Sequence, residues 1–186
     1  MRQFCGYFKA LQWLVMDSRP PVQLITEQLI NTVVKQAQQS TRRRKNHNFH
    51  VSDDDNPHRF LNVLLAGSYV QPHRHLRPPK AESLVVLIGH VVVFLFDDDG
   101  NVISGHILGH GPFAEQVPAQ VSGVAVARGI DLQPGVWHCV ASLTPVAVCY
   151  EVKPGPWDTA RDKEFAPWAP REGSVGAEQY LAALLA

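Results

Sequence analysis

Gly67-Ser68-Tyr69-Val70-Gln71-Pro72-His73-Arg74-His75, with its continuation through Glu82 to Gly89, decides how this chain folds. Two histidines stand two residues apart on a run of extended character. In a β-strand, residues i and i+2 face the same side, so His73 and His75 aim both imidazoles at one spot. Two neutral imidazoles at one spot are half of a transition-metal site. The remaining sequence then reads as a barrel that holds this pair, supplies the missing ligands and closes the ends.

Outward from this stretch, short apolar runs alternate with Gly, Pro and Asp: Tyr69–His75, Leu84–Ile88, Val91–Phe96, Val102–Ile107, Val121–Ala127, Trp137–Leu143 and Val146–Val152. Asp98-Asp99-Gly100-Asn101 is a hairpin turn signal. Short strands at this spacing predict an all-β sandwich or barrel. The run Leu84–Phe96, broken only by Gly89-His90, is apolar on both faces. A strand wet on one side should alternate, so its outer face is expected to meet the N-terminal helix or a second subunit, and a homodimer is predicted.

Before the barrel, Pro20-Pro21 stops the preceding chain. Ile25, Leu29 and Val33 then recur every four residues, predicting an amphipathic helix over 26–39 with Thr26 as its cap and Glu27 in its first turn. Arg42-Arg43-Arg44-Lys45 reads as a solvated linker, or as the source of one arginine folded inward toward an anionic ligand. After the barrel, residues 153–173 carry Trp157 and Trp168 among prolines. They are expected to pack on the barrel without forming regular sheet. Residues 176–186 predict a short helix using Tyr180, Leu181, Leu184 and Leu185. The domain plan is an N-terminal extension of poor order (1–22), helix and basic linker (23–45), barrel with tail (46–173) and C-terminal helix (174–186).

At 186 residues the chain suits one domain. Lys+Arg and Asp+Glu balance at 17 each, so no overall field calls for nucleic acid or a membrane surface. No segment approaches the ~20 apolar residues that span a bilayer. Cys5, Cys139 and Cys149 make no disulfide framework, which favours a reducing, cytoplasmic setting.

A third histidine joins the pair. Pro134-Gly135 places a tight turn before His138, at the start of an apolar strand whose inward parity runs His138, Val140, Ser142. A hairpin turning near Leu143–Pro145 would set Cys139 opposite Cys149, both facing away from the metal. Glu82 reads as a fourth ligand or as an ion-pair partner of Arg77 or Lys80. Without Glu82, three histidines and a water would remain a competent Lewis-acid site. Tyr69 and Gln71 share the His73 face and are expected to line the cavity, with Tyr69 the candidate catalytic proton donor. Asn48, His50 and Arg59 are candidates for holding substrate at the barrel mouth. Trp137 would stack on a ligand or plug the sheet edge. His47, His58, His90, His106 and His110 read as surface residues.

The segments Gly67-x5-His73-x-His75 … Glu82-x6-Gly89 and Pro134-Gly135-x2-His138 resemble the two motifs of the cupin superfamily. Asn46-x-Asn48-x-His50, Arg59, Ser68-Tyr69-Val70-x-Pro72, Glu151-Val152-Lys153-x-Gly155-Pro156-Trp157-Asp158 and Asp162-Lys163-Glu164-Phe165-Ala166-Pro167-Trp168-Ala169-Pro170 together resemble the WbuC family of cupin-fold metalloproteins, over about residues 23–173. The resemblance implies a double-stranded β-helix, a jelly-roll barrel. It also implies His73, His75, Glu82 and His138 as ligands to one divalent transition metal (Zn, Fe, Mn or Ni), and a setting among polysaccharide biosynthesis functions. The expected activity is metal-assisted isomerisation or epimerisation of a small polar metabolite such as a sugar or sugar nucleotide. The alternatives are a non-catalytic metal- or carbohydrate-binding module and a metal-independent sugar epimerase.

Overall fold

The computed structural model describes residues 20–113, 118–121 and 125–186, so most of the expected N-terminal extension lies outside the described residues. The first helix, α1, spans Glu27–Gln39. The Thr26 hydroxyl accepts from the Leu29 N–H, as a cap residue should. The strands follow as β1 (Arg44–Asn48), β2 (His58–Leu65), β3 (His73–Arg74), β4 (Glu82–Ile88), β5 (His90–Phe96), β6 (Val102–Gly109), β7 (Gly129–Leu132), β8 (Trp137–Ser142), β9 (Val146–Lys153) and β10 (Glu164–Phe165), with α2 over Gly176–Leu185.

The described strands form two five-stranded sheets, ordered β1-β2-β9-β4-β7 and β10-β3-β8-β5-β6, and every pairing between them is antiparallel. The neighbours β2/β9, β3/β8, β4/β7 and β5/β6 are the pairs made by rolling one long antiparallel ribbon into a barrel. This is the jelly-roll topology, and the predicted fold class holds. Gly89 is the single residue between β4 and β5, which lie in different sheets. Its φ is +73°, and a Cβ there would fall 2.4 Å from both Thr144 Oγ1 and the Val146 carbonyl. Only glycine fits this corner without a clash.

Side-chain alternation sorts each strand between the barrel interior and an outer layer. Leu64, Leu84, Val86, Val91, Val93, Val140, Ala147 and Cys149 fill one end of the interior. On the outside, Ile30, Val33 and Ala37 of α1 pack on Leu61, Val63 and Val148. Ala177, Leu181 and Leu184 of α2, with Trp168, cover Val92, Phe94 and Phe96 of β5. The outer face of the two-faced apolar run is therefore covered in two parts: β5 by the C-terminal helix, and Leu87 of β4 by the cluster around the N-terminal one. Val85 and Ile88 remain exposed on β4.

Three expectations are corrected. β8 and β9 do not form a hairpin, because the chain crosses between sheets after Ser142. Cys139 pairs with Phe94 in one sheet and Cys149 with Asn62 and Val86 in the other, and Cys149 faces the interior. The strand expected at Val121–Ala127 is absent from its described part: Ala119–Val121 is a 3₁₀ turn, and β7 begins only at Gly129. The tail does contain a strand, since β10 pairs with β3 through Glu164↔Arg74 and Phe165↔His73. No helix among the described residues is long and apolar enough to cross a membrane.

Because α2 seals β5, Leu181→Ala should open a cavity in that layer and lower unfolding free energy by about 2–4 kcal/mol. Urea titration with an unchanged slope checks this, and an effect under ~0.5 kcal/mol would mean that α2 is not part of the core.

Candidate metal centre

His73 and His138 are register partners across β3 and β8, so their side chains leave the sheet on the same face. Their ring centroids lie 4.5 Å apart. His75 lies just beyond β3. The loop after it folds back through a Leu76–Pro79 bridge and a Lys80 N–H that donates to the His75 carbonyl at 3.3 Å. That closure absorbs the six residues between His75 and Glu82 and brings Glu82, the first residue of β4, back to the histidines. One donor atom from each of His73, His75, Glu82 and His138 lies within 4.8 Å of the others, and all four residues are buried.

The hydrogen bonds fix which atoms face the cluster. Nδ1–H of His73 donates to the Gln71 carbonyl at 3.0 Å, that of His138 to the Val136 carbonyl at 2.9 Å, and that of His75 to the Asp162 carbonyl. A neutral imidazole donating from Nδ1 presents a bare lone pair at Nε2. All three Nε2 atoms, and Glu82 Oε2, are buried with no hydrogen-bond partner. His75 Nε2 and Glu82 Oε2 stand 2.9 Å apart. Two lone pairs at that distance need a proton or a cation between them. Buried polar atoms are rarely left unpaired, and these four converge. Three imidazole nitrogens and one carboxylate suit a borderline divalent ion such as Zn²⁺, Fe²⁺, Mn²⁺ or Ni²⁺. The residues therefore fit the implied metal.

The electrostatics keep His73, His138 and Glu82 deprotonated. Burial, reinforced by the Lys163 ammonium, holds His73 well below the usual histidine value. Burial likewise lowers His138, against the opposing pull of Glu82. Burial alone would raise the Glu82 carboxyl, but the His75 ring, His138 and Lys153 outweigh it and hold Glu82 well below the usual carboxylate range.

His73, Glu82 and His138 line a cavity of about 610 Å³ at the open end of the barrel. Its inner wall is apolar, with Val70, Leu84, Val93 and Val140, and its mouth is polar. Glu151 and Lys153 occupy the inward positions of β9 beyond Cys149, both buried. Asn62 Nδ2 donates to Glu151 Oε2 at 2.9 Å, and burial with the Glu82 charge pushes the Glu151 carboxyl up to about 8. Asp162 of the tail accepts from Lys80 at 2.7 Å and from Lys153 at 2.9 Å. Lys163 also lines the cavity, and burial with the nearby Lys153 charge lowers its pKa.

The other predicted site residues divide. Asn48 and His50 line the cavity as expected. Tyr69 does not. It lies in the outer layer against Tyr180, its hydroxyl donates to the Pro170 carbonyl at 2.8 Å, and burial raises its pKa. Gln71 donates to the Ala166 carbonyl and serves the site only through its own carbonyl, which orients His73. Arg59 is exposed on the outer face of β2, between the inward His58 and Phe60. Trp137 faces outward from β8, donates to Asp98 at 2.8 Å and carries the Arg74 guanidinium over its ring, so it neither reaches the cavity nor sits at a sheet edge, since β8 lies between β3 and β5. His58, expected at the surface, is buried and stacks on His50 at 4.0 Å between ring centroids. Glu151, Lys153 and Asn62 were not among the expected site residues, although Glu151 and Lys153 stand in the motif quoted for the family resemblance. Polar residues at core parity on apolar strands were the available signal.

A family model described as a domain of unknown function, DUF6016, matches residues 25–108. No curated protein matches the sequence. Among solved structures, a protein from Shewanella oneidensis is 12% identical over 64% of this chain and 72% of its own, with a TM-score of 0.47. The capsular polysaccharide assembling protein CapF from Staphylococcus aureus is 19% identical, with a TM-score of 0.46, over 64% of this chain but only 31% of its own. A dTDP sugar isomerase from Desulfovibrio desulfuricans is 16% identical over 64% of this chain and 68% of its own, with a TM-score of 0.44. These are partial likenesses, and the fold assignment rests on the strand order above.

The histidine shifts set a pH dependence. A folded-state value below the unfolded one means that the native protein binds fewer protons, so the stability contributed by neutral His73 and His138 is present above the unfolded value of 6.5 and is lost as pH falls below it. Urea midpoints of chelator-treated protein should therefore drop between pH 7 and pH 5, about neutral to mildly acid, with a shallower drop in His138→Ala. A midpoint flat across that window would show that these rings are not buried and neutral.

Proposed function

We propose that this chain is a divalent-metal-binding cupin acting on a small polar metabolite of the sugar or sugar-nucleotide class, as a metal-assisted isomerase or epimerase in polysaccharide biosynthesis. The observation that carries the reading is the convergence of four buried, unpartnered donor atoms on the wall of a cavity sized for a small molecule. The sequence resemblance to WbuC proteins supports the polysaccharide setting. When bound, a divalent ion supplies Lewis-acid polarisation of a carbonyl or activates water.

The chain's own residues complete the chemistry. His73, His75, Glu82 and His138 hold the ion, and the carbonyls of Gln71, Asp162 and Val136 fix the three rings. Asn46 and Asn48 line the cavity together with the Trp157 and Phe165 rings, and Asn62, whose Nδ2 donates to Glu151, has its Oδ1 left to accept from a hydroxyl group. The apolar inner wall excludes water and strengthens the electrostatics at the ligand end. Glu151, which holds a proton near neutrality, is a cavity-lining group able to exchange one with a bound ligand.

The second reading, a non-catalytic metal- or carbohydrate-binding module, is favoured by Tyr69, whose hydroxyl is committed to Pro170 outside the cavity. The same observation counts against a metal-independent epimerase, which needs a tyrosine beside its base. Purified protein should contain about one equivalent of a divalent transition metal by elemental analysis, and His73→Ala or His138→Ala should lose most of it. A site that stays empty after incubation with each of Zn²⁺, Fe²⁺, Mn²⁺ and Ni²⁺ sinks the proposal. Turnover assays on sugars and sugar nucleotides that raise the melting temperature separate enzyme from module, since tight binding without conversion identifies the module.

A further inference from the structure

Six charged groups crowd the open end of the barrel around the donor cluster. Lys80, Lys153 and Lys163 supply three ammonium groups, and Glu82, Glu151 and Asp162 supply three carboxylates. All are buried except Lys163, which is half-buried. Asp162 takes two of the lysines, Lys80 and Lys153. Lys163 alone of the three makes no ion pair or hydrogen bond among the described residues. It lies on the tail between Asp162, whose carbonyl orients His75, and β10, which pairs with β3. It lines the same cavity as His73, Glu82 and His138, so it stands on the cavity side of the donor cluster, and its ammonium acts electrostatically on those three, on Glu151 and on Arg44. The other basic residue deep in the mouth, Arg44, is committed to Glu172 and to the Tyr69 carbonyl.

With the Glu151 carboxyl protonated near neutrality, these groups already carry one excess positive charge without a metal. A divalent ion on the four donors adds two more positive charges, of which ionisation of Glu151 would offset only one. Buried charge without a counter-charge is costly, and the unpaired ammonium marks where the missing counter-charge would sit. We infer that the molecule taken by this cavity carries an oxyanion, a carboxylate or a phosphate, that docks on Lys163 beside the metal, and that metal and anion bind with positive cooperativity. This deepens the reading proposed above and rests on it. It narrows the substrate class from sugars in general to acidic or phosphorylated ones. The exposed Arg42 and Lys45 at the rim give the entrance the same preference.

The test uses the full chain loaded with the metal that elemental analysis identifies. Isothermal titration calorimetry is run with glucuronate, glucose 1-phosphate, inorganic phosphate and neutral glucose. At least one of the anions should bind about tenfold or more tightly than glucose, since a charge-assisted hydrogen bond is worth that much. Glucuronate against glucose 1-phosphate tells carboxylate from phosphate. Anion affinity should fall in chelator-treated protein, and metal affinity should rise by the same factor when the anion is present. Lys163→Met should lose the anion preference while keeping full metal content, and Lys163→Arg should retain part of it. The comparison of charged with neutral probes on unmodified protein stands even where a variant fails to fold. Glucose binding as well as every anion, no binding by any of the four probes, or unchanged anion affinity in metal-loaded Lys163→Met or in chelator-treated wild type, each overturns the inference while leaving the metal site intact. A protein that takes up no metal overturns the broader reading and this inference together, and elemental analysis distinguishes the two failures.

Discussion

Three hydrogen bonds from imidazole Nδ1 to backbone carbonyls govern this molecule's chemistry. The carbonyls of Gln71, Val136 and Asp162 each take the one proton a neutral imidazole can give from that side, and so turn three Nε2 lone pairs toward one point. Two of these acceptors lie two residues before their own histidine, on the approach to β3 and to β8. The third comes from the tail. The orientation of the rings is thus set by backbone carbonyls just outside the strands, with no help from further side chains. Such outer partners decide tautomer and basicity as much as the ligands themselves do.

The tail is for this reason part of the site and not an appendage to it. Asp162 orients His75 with its carbonyl while its carboxylate holds Lys80 and Lys153, tying the loop after His75 and the end of β9 to the same residue. A buried carboxylate facing two ammonium groups is expensive to assemble but costly to break once assembled, because removing any partner strands the others. The network fixes geometry more than it adds net stability. Just downstream, β10 seats Phe165 opposite His73, and Trp168 packs on Phe96 and faces Trp137. One segment closes the barrel mouth, anchors the outer layer and places Lys163 over the cavity.

Much of the centre was legible because strand parity is a strict rule where strands exist. His138, Val140 and the barrel-facing residues of β5 followed it, and the turn at Pro134-Gly135 placed His138 correctly. Parity failed where the ladder is short. β3 contains only His73 and Arg74, so extending its alternation back to Tyr69 assigned that side chain to the cavity when it belongs to the outer layer. His75 lies outside β3 as well and reaches the site through its bond to Asp162, a contact 87 residues away in sequence that no local pattern announces. The crossing from β8 to β9 was misread because a tight turn looks the same whether it joins neighbours in one sheet or carries the chain to the other. The partner of β5's outer face was misread because helix amphipathicity says that a helix packs, not on which sheet.

The barrel interior is divided along its axis, and that division sets what the site can do. One end is filled by aliphatic side chains from both sheets. The other end gathers nearly all of the interior's ionisable groups around the four donors. Charges held against an apolar floor are screened less than at a surface, so each proton or ion that enters changes its neighbours strongly. The opposite displacements of Glu82, held low, and Glu151, raised to about 8, express this: two carboxyls from adjacent strands cannot both ionise cheaply, and the one that faces the histidines keeps the charge. A cation on the histidine side reduces the repulsion that Glu82 exerts on Glu151 and lowers the cost of the second charge. A metal held there would therefore be linked to the protonation of Glu151 through the electrostatic interaction of two carboxyls on adjacent strands.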